Sequence, residues 1–171
     1  MDGVYGTRSG RHATAPKDGF TMDGSMKHGR VILADRNQDM LEGIRGLLET
    51  SFDTVLMVAD VNSLFTAAEK LPIDLVVVDF SLPVSSGVNI VRQLKRRFPD
   101  LKLIVLSIHD EQTVRQEVLA AGAEGFVLKR SAATDLIPAV RAVIAGRKYI
   151  SSSSGKYSRS DRHGTLKPEQ L

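Results

Sequence analysis

The stretch Leu75-Val76-Val77-Val78-Asp79-Phe80-Ser81-Leu82-Pro83 decides the fold. Four consecutive apolar residues, three of them β-branched, form the pattern of a strand buried on both faces, as in a parallel sheet covered by helices. Asp79 closes that run, and a turn-like segment ending in Pro83 follows at once. Its carboxylate therefore stands at the carboxyl end of a strand, where open α/β sheets place their ligands. Two other apolar runs lead into polar groups of complementary chemistry, Ser107 and Lys129. Three strand ends can thus converge on one site.

On either side of this strand, apolar runs occur at Val31–Ala34, Thr54–Ala59, Leu101–Leu106 and Gly125–Leu128. Between them the apolar spacing is helical. Met40, Ile44, Leu47 and Leu48 make one stripe, and Leu64, Ala67, Ala68 and Leu71 a second. Val88, Val91, Leu94 and Phe98 form a third, Val114, Val118, Leu119 and Ala121 a fourth, and Leu136, Val140, Val143 and Ile144 a fifth. Five strands alternating with five helices predict a single doubly wound α/β domain over residues 30–150, its parallel sheet covered on both faces. Asn62 or Ser63 is expected to cap the second helix and Ser85 or Ser86 the third, with Pro99 and Gly146 marking helix ends. Pro138 removes one backbone hydrogen bond inside the last helix and is expected to kink or restart it.

The composition is that of a soluble globular chain: 42% hydrophobic and 25% charged over 171 residues. The absence of cysteine excludes disulfides, thiolate metal sites and cysteine nucleophiles. No apolar stretch has the roughly 18 residues of a membrane span, and no leader-like apolar segment opens the chain, so a cytoplasmic location is expected. The net charge of +3 does not point to nucleic acid. Residues 30–150 carry 15 basic and 15 acidic side chains, and the excess lies in the tails. Residues 1–29 read as a disordered tail whose nativeness the sequence leaves open, and 151–171 as a flexible linker opening on Ser151-Ser152-Ser153-Ser154-Gly155.

Four motifs in order, Val31-Ile32-Leu33-Ala34-Asp35, Val76-Val77-Val78-Asp79-Phe80-Ser81-Leu82-Pro83, Ile104-Val105-Leu106-Ser107 and Gly125-Phe126-Val127-Leu128-Lys129, resemble a response-regulator receiver domain. The segments Leu106–Asp110, Ala120–Lys129 and Ala139–Gly146 are similar to the NarL/FixJ subfamily in particular. The resemblance implies a flavodoxin-like sheet of order 2-1-3-4-5. It also implies that Asp79 is a phosphoacceptor served by a sensor histidine kinase, within a signalling module rather than an enzyme. A carboxylate attacks a phosphate poorly because like charges repel, so cations are needed, Mg²⁺ and a lysine. On this resemblance Lys129 is the lysine, Ser107 the switch hydroxyl and Phe126 the switch aromatic. Asp35, Asp79 and the backbone carbonyl of Ser81 are the implied metal ligands. Relatives carry a DNA-binding helix-turn-helix after a linker, and Thr165–Leu171 resembles its first residues. Contact with DNA is accordingly expected only through a C-terminal domain absent from this chain, with a homodimer as a further partner; a stand-alone receiver is the other organisation.

One position departs from the family pattern. Arg36 follows Asp35 where a second acid is usual, a change of two charge units beside the metal position. At about 4 Å and a surface-like dielectric, each unit is roughly 4 kcal/mol, so weaker Mg²⁺ binding is expected. Either Arg36 turns outward, or its guanidinium pairs with Asp35 or Asp79 and locks the site. The second case favours a phosphorylation-independent interaction domain. Asp39 is read as a first-turn acid that stabilises a helix N-terminus, and His109 as a loop residue. Lys95-Arg96-Arg97 reads as a solvated helix end, and Arg141, Arg147 and Lys148 as surface charge. An aspartyl-phosphate hydrolase would carry an acid where Ser81 stands, and a flavin site would need a phosphate cradle where Arg36-Asn37-Gln38-Asp39 stands.

Overall fold

In the computed structural model the described residues are 27–84 and 89–151. The expected tail and linker residues outside these ranges, and Ser85, Ser86 and Val88, lie outside the description. The elements alternate as β1 (His28–Ala34), α1 (Gln38–Glu49), β2 (Phe52–Val58), α2 (Val61–Lys70), β3 (Leu75–Asp79) and α3 (Ile90–Arg97). They continue as β4 (Lys102–Ser107), α4 (Gln112–Ala120), β5 (Gly125–Leu128), α5 (Ala132–Ile144) and β6 (Tyr149–Ile150). All pairings are parallel, and the sheet order is β2-β1-β3-β4-β5-β6. The flavodoxin-like order holds, with one correction: a sixth, two-residue strand pairs with the outer edge of β5.

Strands β1 to β5 divide their side chains between two cores, as the period of two requires. On one face Leu33, Val77, Leu106 and Val127 pack against Leu41, Ile44 and Leu48 of α1 and Leu136, Val140 and Val143 of α5. On the other, Ile32, Val78, Val105 and Phe126 meet Leu64 of α2, Val91 and Leu94 of α3 and Val118 of α4. β3 is buried at every residue, which is why its sequence shows no polar alternation. Gly125 opens β5 at a close approach to β4 and α5. A Cβ there would stand 2.7 Å from Ile104 Cγ1 and 3.3 Å from Val143 Cγ2.

Helix ends correct the sequence reading in detail. α2 is capped by Asp60, whose carboxylate accepts from Ser63 N at 2.8 Å and from the Ser63 hydroxyl at 2.7 Å. Ser63 is thus the capped residue, not the cap. α3 is capped by Asn89, which accepts from Arg92 N at 2.9 Å. α5 runs unbroken through Pro138 and does not restart. Packing of Leu136, Ala139 and Val140 against β4 and β5 offsets the missing hydrogen bond. Leu71 lies just past α2 and is exposed, so the second stripe ends at Ala68.

Two members of the basic run form ion pairs. Lys95 Nζ donates to the Leu101 carbonyl at 2.7 Å and pairs with Glu124 at 2.6 Å, while Arg97 pairs with Glu69 of α2 at 2.7 Å. Lys95 ties α3 to the start of β5, while Arg96 and Arg97 face solvent as expected, Arg97 in an exposed ion pair.

Candidate functional site

Register alone gathers the polar residues. Ala34 stands opposite Val78, so Asp35 and Asp79 leave the sheet side by side. Asp79 pairs with Leu106, which sets Ser107 one step beyond, and Ser107 pairs with Leu128, which sets Lys129 one step further. All four lie at the carboxyl edge of adjacent parallel strands, as ligand sites of such sheets do.

Asp35 and Asp79 are 1% and 4% exposed, too buried to remain charged without partners. Lys129 provides one. Its ammonium lies 2.6 Å from Asp35 Oδ2 and 3.2 Å from Asp79 Oδ2, with 8% of its side chain exposed. Backbone donors complete the shell. Asn37 N donates to Asp35 Oδ1 at 2.9 Å, and Ser81 N to Asp79 Oδ1 at 3.1 Å. The Ser81 hydroxyl donates to Asp79 Oδ2 at 2.5 Å. Sequence reasoning expected only the carbonyl of Ser81 here. Its side chain went unread, although an Asp-x-Ser spacing at a strand end is the signal of such a turn.

Ser107 is buried, and its Oγ accepts from His109 N at 2.9 Å, which leaves the hydroxyl proton free to be aimed elsewhere. Phe126 is fully buried beneath α4, in the same core as Val118. Arg36 is exposed, and the ion pairs of Asp35 and Asp79 among the described residues are made with Lys129. Asp39 lies exposed in the first turn of α1, as expected. His109 is in the β4–α4 loop, with Nδ1 3.6 Å from Glu111. In the same loop Asp110 pairs with Arg115 of α4 at 3.4 Å and with Arg130 beside Lys129, a clasp that sequence reasoning missed.

Mg²⁺ takes oxygen ligands, commonly one or two carboxylates with the remaining positions filled by water. Asp35 and Asp79 are such donors, and each carboxylate oxygen has two lone pairs, so their present hydrogen bonds leave room. The donor set fits the ion. It has one acid fewer than the family pattern, and no group of three or more potential metal-ligating acids and histidines occurs among the described residues.

Residues 31–141 match the response regulator receiver domain family. The chain is 36% identical over 123 residues to the transcriptional regulatory protein DegU of Brevibacillus brevis, covering 71% of this chain and 52% of that protein. It is 34% identical over 134 residues to the transcriptional regulatory protein RcsB of Escherichia coli, covering 75% and 62%. Among solved structures, the non-phosphorylated receiver domain of RcsB from Escherichia coli superposes with a TM-score of 0.68 at 31% identity, over 74% of this chain and all of that one. The isolated receiver domain of RcsB from Salmonella enterica serovar Typhimurium, with the phosphomimetic BeF₃⁻, gives 0.65 at 32% identity, over 71% and 92%. The chain belongs to the response-regulator receiver family, in its NarL/FixJ branch. It spans about half the length of the first of these regulators. No helix among the described residues is long and apolar enough to cross a membrane.

Proposed function

We propose that this chain accepts a phosphoryl group on Asp79 from the phosphohistidine of a sensor histidine kinase. In this reading an Asp79 carboxylate oxygen forms the new P–O bond, the P–N bond of the phosphohistidine breaks, and the imidazole leaves on the kinase. The observation that carries it is the buried Asp79 carboxylate, with Lys129 Nζ at 3.2 Å and Ser107 at the end of the adjoining strand. Lys129 moves its ammonium from the carboxylate pair toward the phosphoryl oxygens. Ser107 donates its hydroxyl proton to one of them and draws the β4–α4 loop inward, and Phe126 repacks with that loop. Asp35, Asp79 and the Ser81 carbonyl would hold Mg²⁺, which supplies neutralising charge to the phosphoryl oxygens.

Phosphorylation on this reading is a population shift between two packed arrangements that alters dimerisation or effector contacts and so controls transcription. The receiver occupies residues 30–150, between a tail and a linker, in a cytoplasmic regulator that touches DNA through a C-terminal domain. Arg36 lowers the affinity for Mg²⁺ without abolishing phosphorylation.

Incubation with acetyl phosphate and Mg²⁺, followed by intact-mass analysis, tests this. The expected result is one added phosphoryl group that is lost in Asp79→Ala. An unmodified mass at saturating Mg²⁺ overturns it in favour of a phosphorylation-independent interaction domain.

A further inference from the structure

β6 and the residue after it form a strap on the outer edge of β5. Tyr149 N donates to the Glu124 carbonyl at 3.0 Å, and Ser151 N to the Phe126 carbonyl at 2.8 Å. Ser151 opens the serine-rich stretch expected to be a flexible linker, yet it is 2% exposed. Its hydroxyl donates to Asp135 Oδ2 in the first turn of α5, and the Thr134 hydroxyl donates to Oδ1 of the same carboxylate at 3.0 Å. A two-residue strand holds poorly to a sheet edge by itself. The charge-assisted bond from Ser151 to Asp135 supplies the missing anchorage.

The strap is tied to the strand that carries the machinery of Asp79. The Phe126 carbonyl receives Ser151 N, while the Phe126 ring is fully buried in the core. Two residues on, Leu128 pairs with Ser107 and leads directly into Lys129. β5 is four residues long, and Gly125 packs it tightly against Ile104 and Val143, so a displacement at its carboxyl end has little slack in which to dissipate.

We propose that residues 149–151 are an output latch, which a phosphoryl group on Asp79 loosens from β5. The hold of residues 149–151 on the sheet then depends on the state of Asp79. This inference rests on the function proposed above. A phosphoryl group redirects Lys129 Nζ and Ser107 Oγ, and both residues stand at the ends of paired strands whose outer neighbour is β6. Both strap bonds are already formed in the unmodified chain, so a displacement of β5 away from β6 lengthens them. Linkage makes the effect reciprocal: loosening the strap favours the phosphorylated arrangement by the same factor.

Site-resolved amide exchange with and without acetyl phosphate and Mg²⁺, with intact mass measured on the same samples, tests the latch. Exchange of the Tyr149 and Ser151 amides rises about five-fold on modification, the factor of one ordinary hydrogen bond, while Leu33 in β1 is unchanged. Ser151→Ala raises exchange at Tyr149 without modification and tightens binding of beryllofluoride. A chain carrying one phosphoryl group on Asp79 with unaltered β6 exchange overturns the latch alone. So does a Ser151→Ala chain that exchanges faster at Tyr149 but binds beryllofluoride unchanged. Absence of any phosphoryl gain overturns the function and the latch together.

Discussion

Lys129 balances two buried carboxylates, and removing its charge tests the site most directly. Its Nζ stands 2.6 Å from Asp35 and 3.2 Å from Asp79, and the three side chains are 8%, 1% and 6% exposed. At an effective dielectric of about 20, each contact has a gross attraction of about 5–6 kcal/mol. Desolvation of the three groups cancels much of that, so the net value of the cluster is small. Deleting one partner is different, because the others stay buried without compensation, at a cost of about 3–5 kcal/mol. Lys129→Met keeps the length and the apolar stem while removing the ammonium. Urea unfolding at neutral pH should therefore show a loss of about 3–5 kcal/mol with an unchanged m-value. Asp35→Asn provides the cycle, since its carbonyl oxygen can still accept from Asn37 N. The coupling between positions 35 and 129 should be about 2 kcal/mol, so the double variant is more stable than the sum of the singles requires. A loss below about 1 kcal/mol for Lys129→Met, or a coupling indistinguishable from zero, refutes the charge-balance account.

Arg36→Asp restores an acid beside Asp35. With Arg36 exposed, a nominal separation of about 8 Å in water-like surroundings gives about 2 kcal/mol for the two-unit change acting on a divalent ion. Calorimetric titration should show roughly 30-fold tighter Mg²⁺ binding, and a change below about three-fold counts against Arg36 as the weakening residue. Gly125→Ala places its Cβ 2.7 Å from Ile104 Cγ1. Overpacking of this kind should lower unfolding stability by about 1–3 kcal/mol, which an unchanged urea midpoint would contradict. The Asp60 carboxyl is held below its ordinary value of 3.8, first by the backbone hydrogen bond from Ser63 and then by its hydroxyl. A depressed folded value stabilises above the unfolded one and is lost as pH falls through the folded value. The melting-temperature advantage of wild type over Asp60→Asn should therefore shrink between about pH 5 and about pH 3. A constant difference would remove Asp60 from the acid response.

The parallel sheet was legible because burial on both faces writes itself as uninterrupted apolar runs, and Leu75–Val78 is the extreme case. Once those runs were in order, the ends at Asp35, Asp79, Ser107 and Lys129 followed from parallel register. β6 was illegible for the opposite reason. Tyr149-Ile150 is too short to show a period, and its serine-rich continuation has the composition of a linker. What holds Ser151 is Asp135 on α5, a partner no local pattern announces. Helix caps failed similarly in detail. Asp60, Asn62 and Ser63 all have capping chemistry, and only the backbone decides that Asp60 accepts and Ser63 donates. Lys95 alone departs from the solvated reading of the basic run, because charge in sequence says nothing of its partner Glu124, which arrives from the turn before β5.

Arg36 shows how charge and geometry must be read together. From sequence, a guanidinium next to Asp35 has two outcomes, a locked ion pair or an outward side chain. The locked arrangement needs a vacant carboxylate, and Lys129 already reaches both Asp35 and Asp79 from the far strand. Lys129 is fixed there by the β4–β5 register and by burial, whereas a guanidinium at position 36 would have to give up water to displace it. Arg36 stays exposed, and solvent screens its charge. Its effect on a cation at the site is consequently long-range and salt-dependent, while that of Lys129 is short-range and salt-insensitive. Raising the ionic strength should narrow the Mg²⁺ affinity gap between the wild type and Arg36→Asp and leave the coupling of Asp35 to Lys129 in place. If salt erased both equally, Lys129 would be no better shielded from solvent than Arg36, and the buried charge cluster could not be what organises the site.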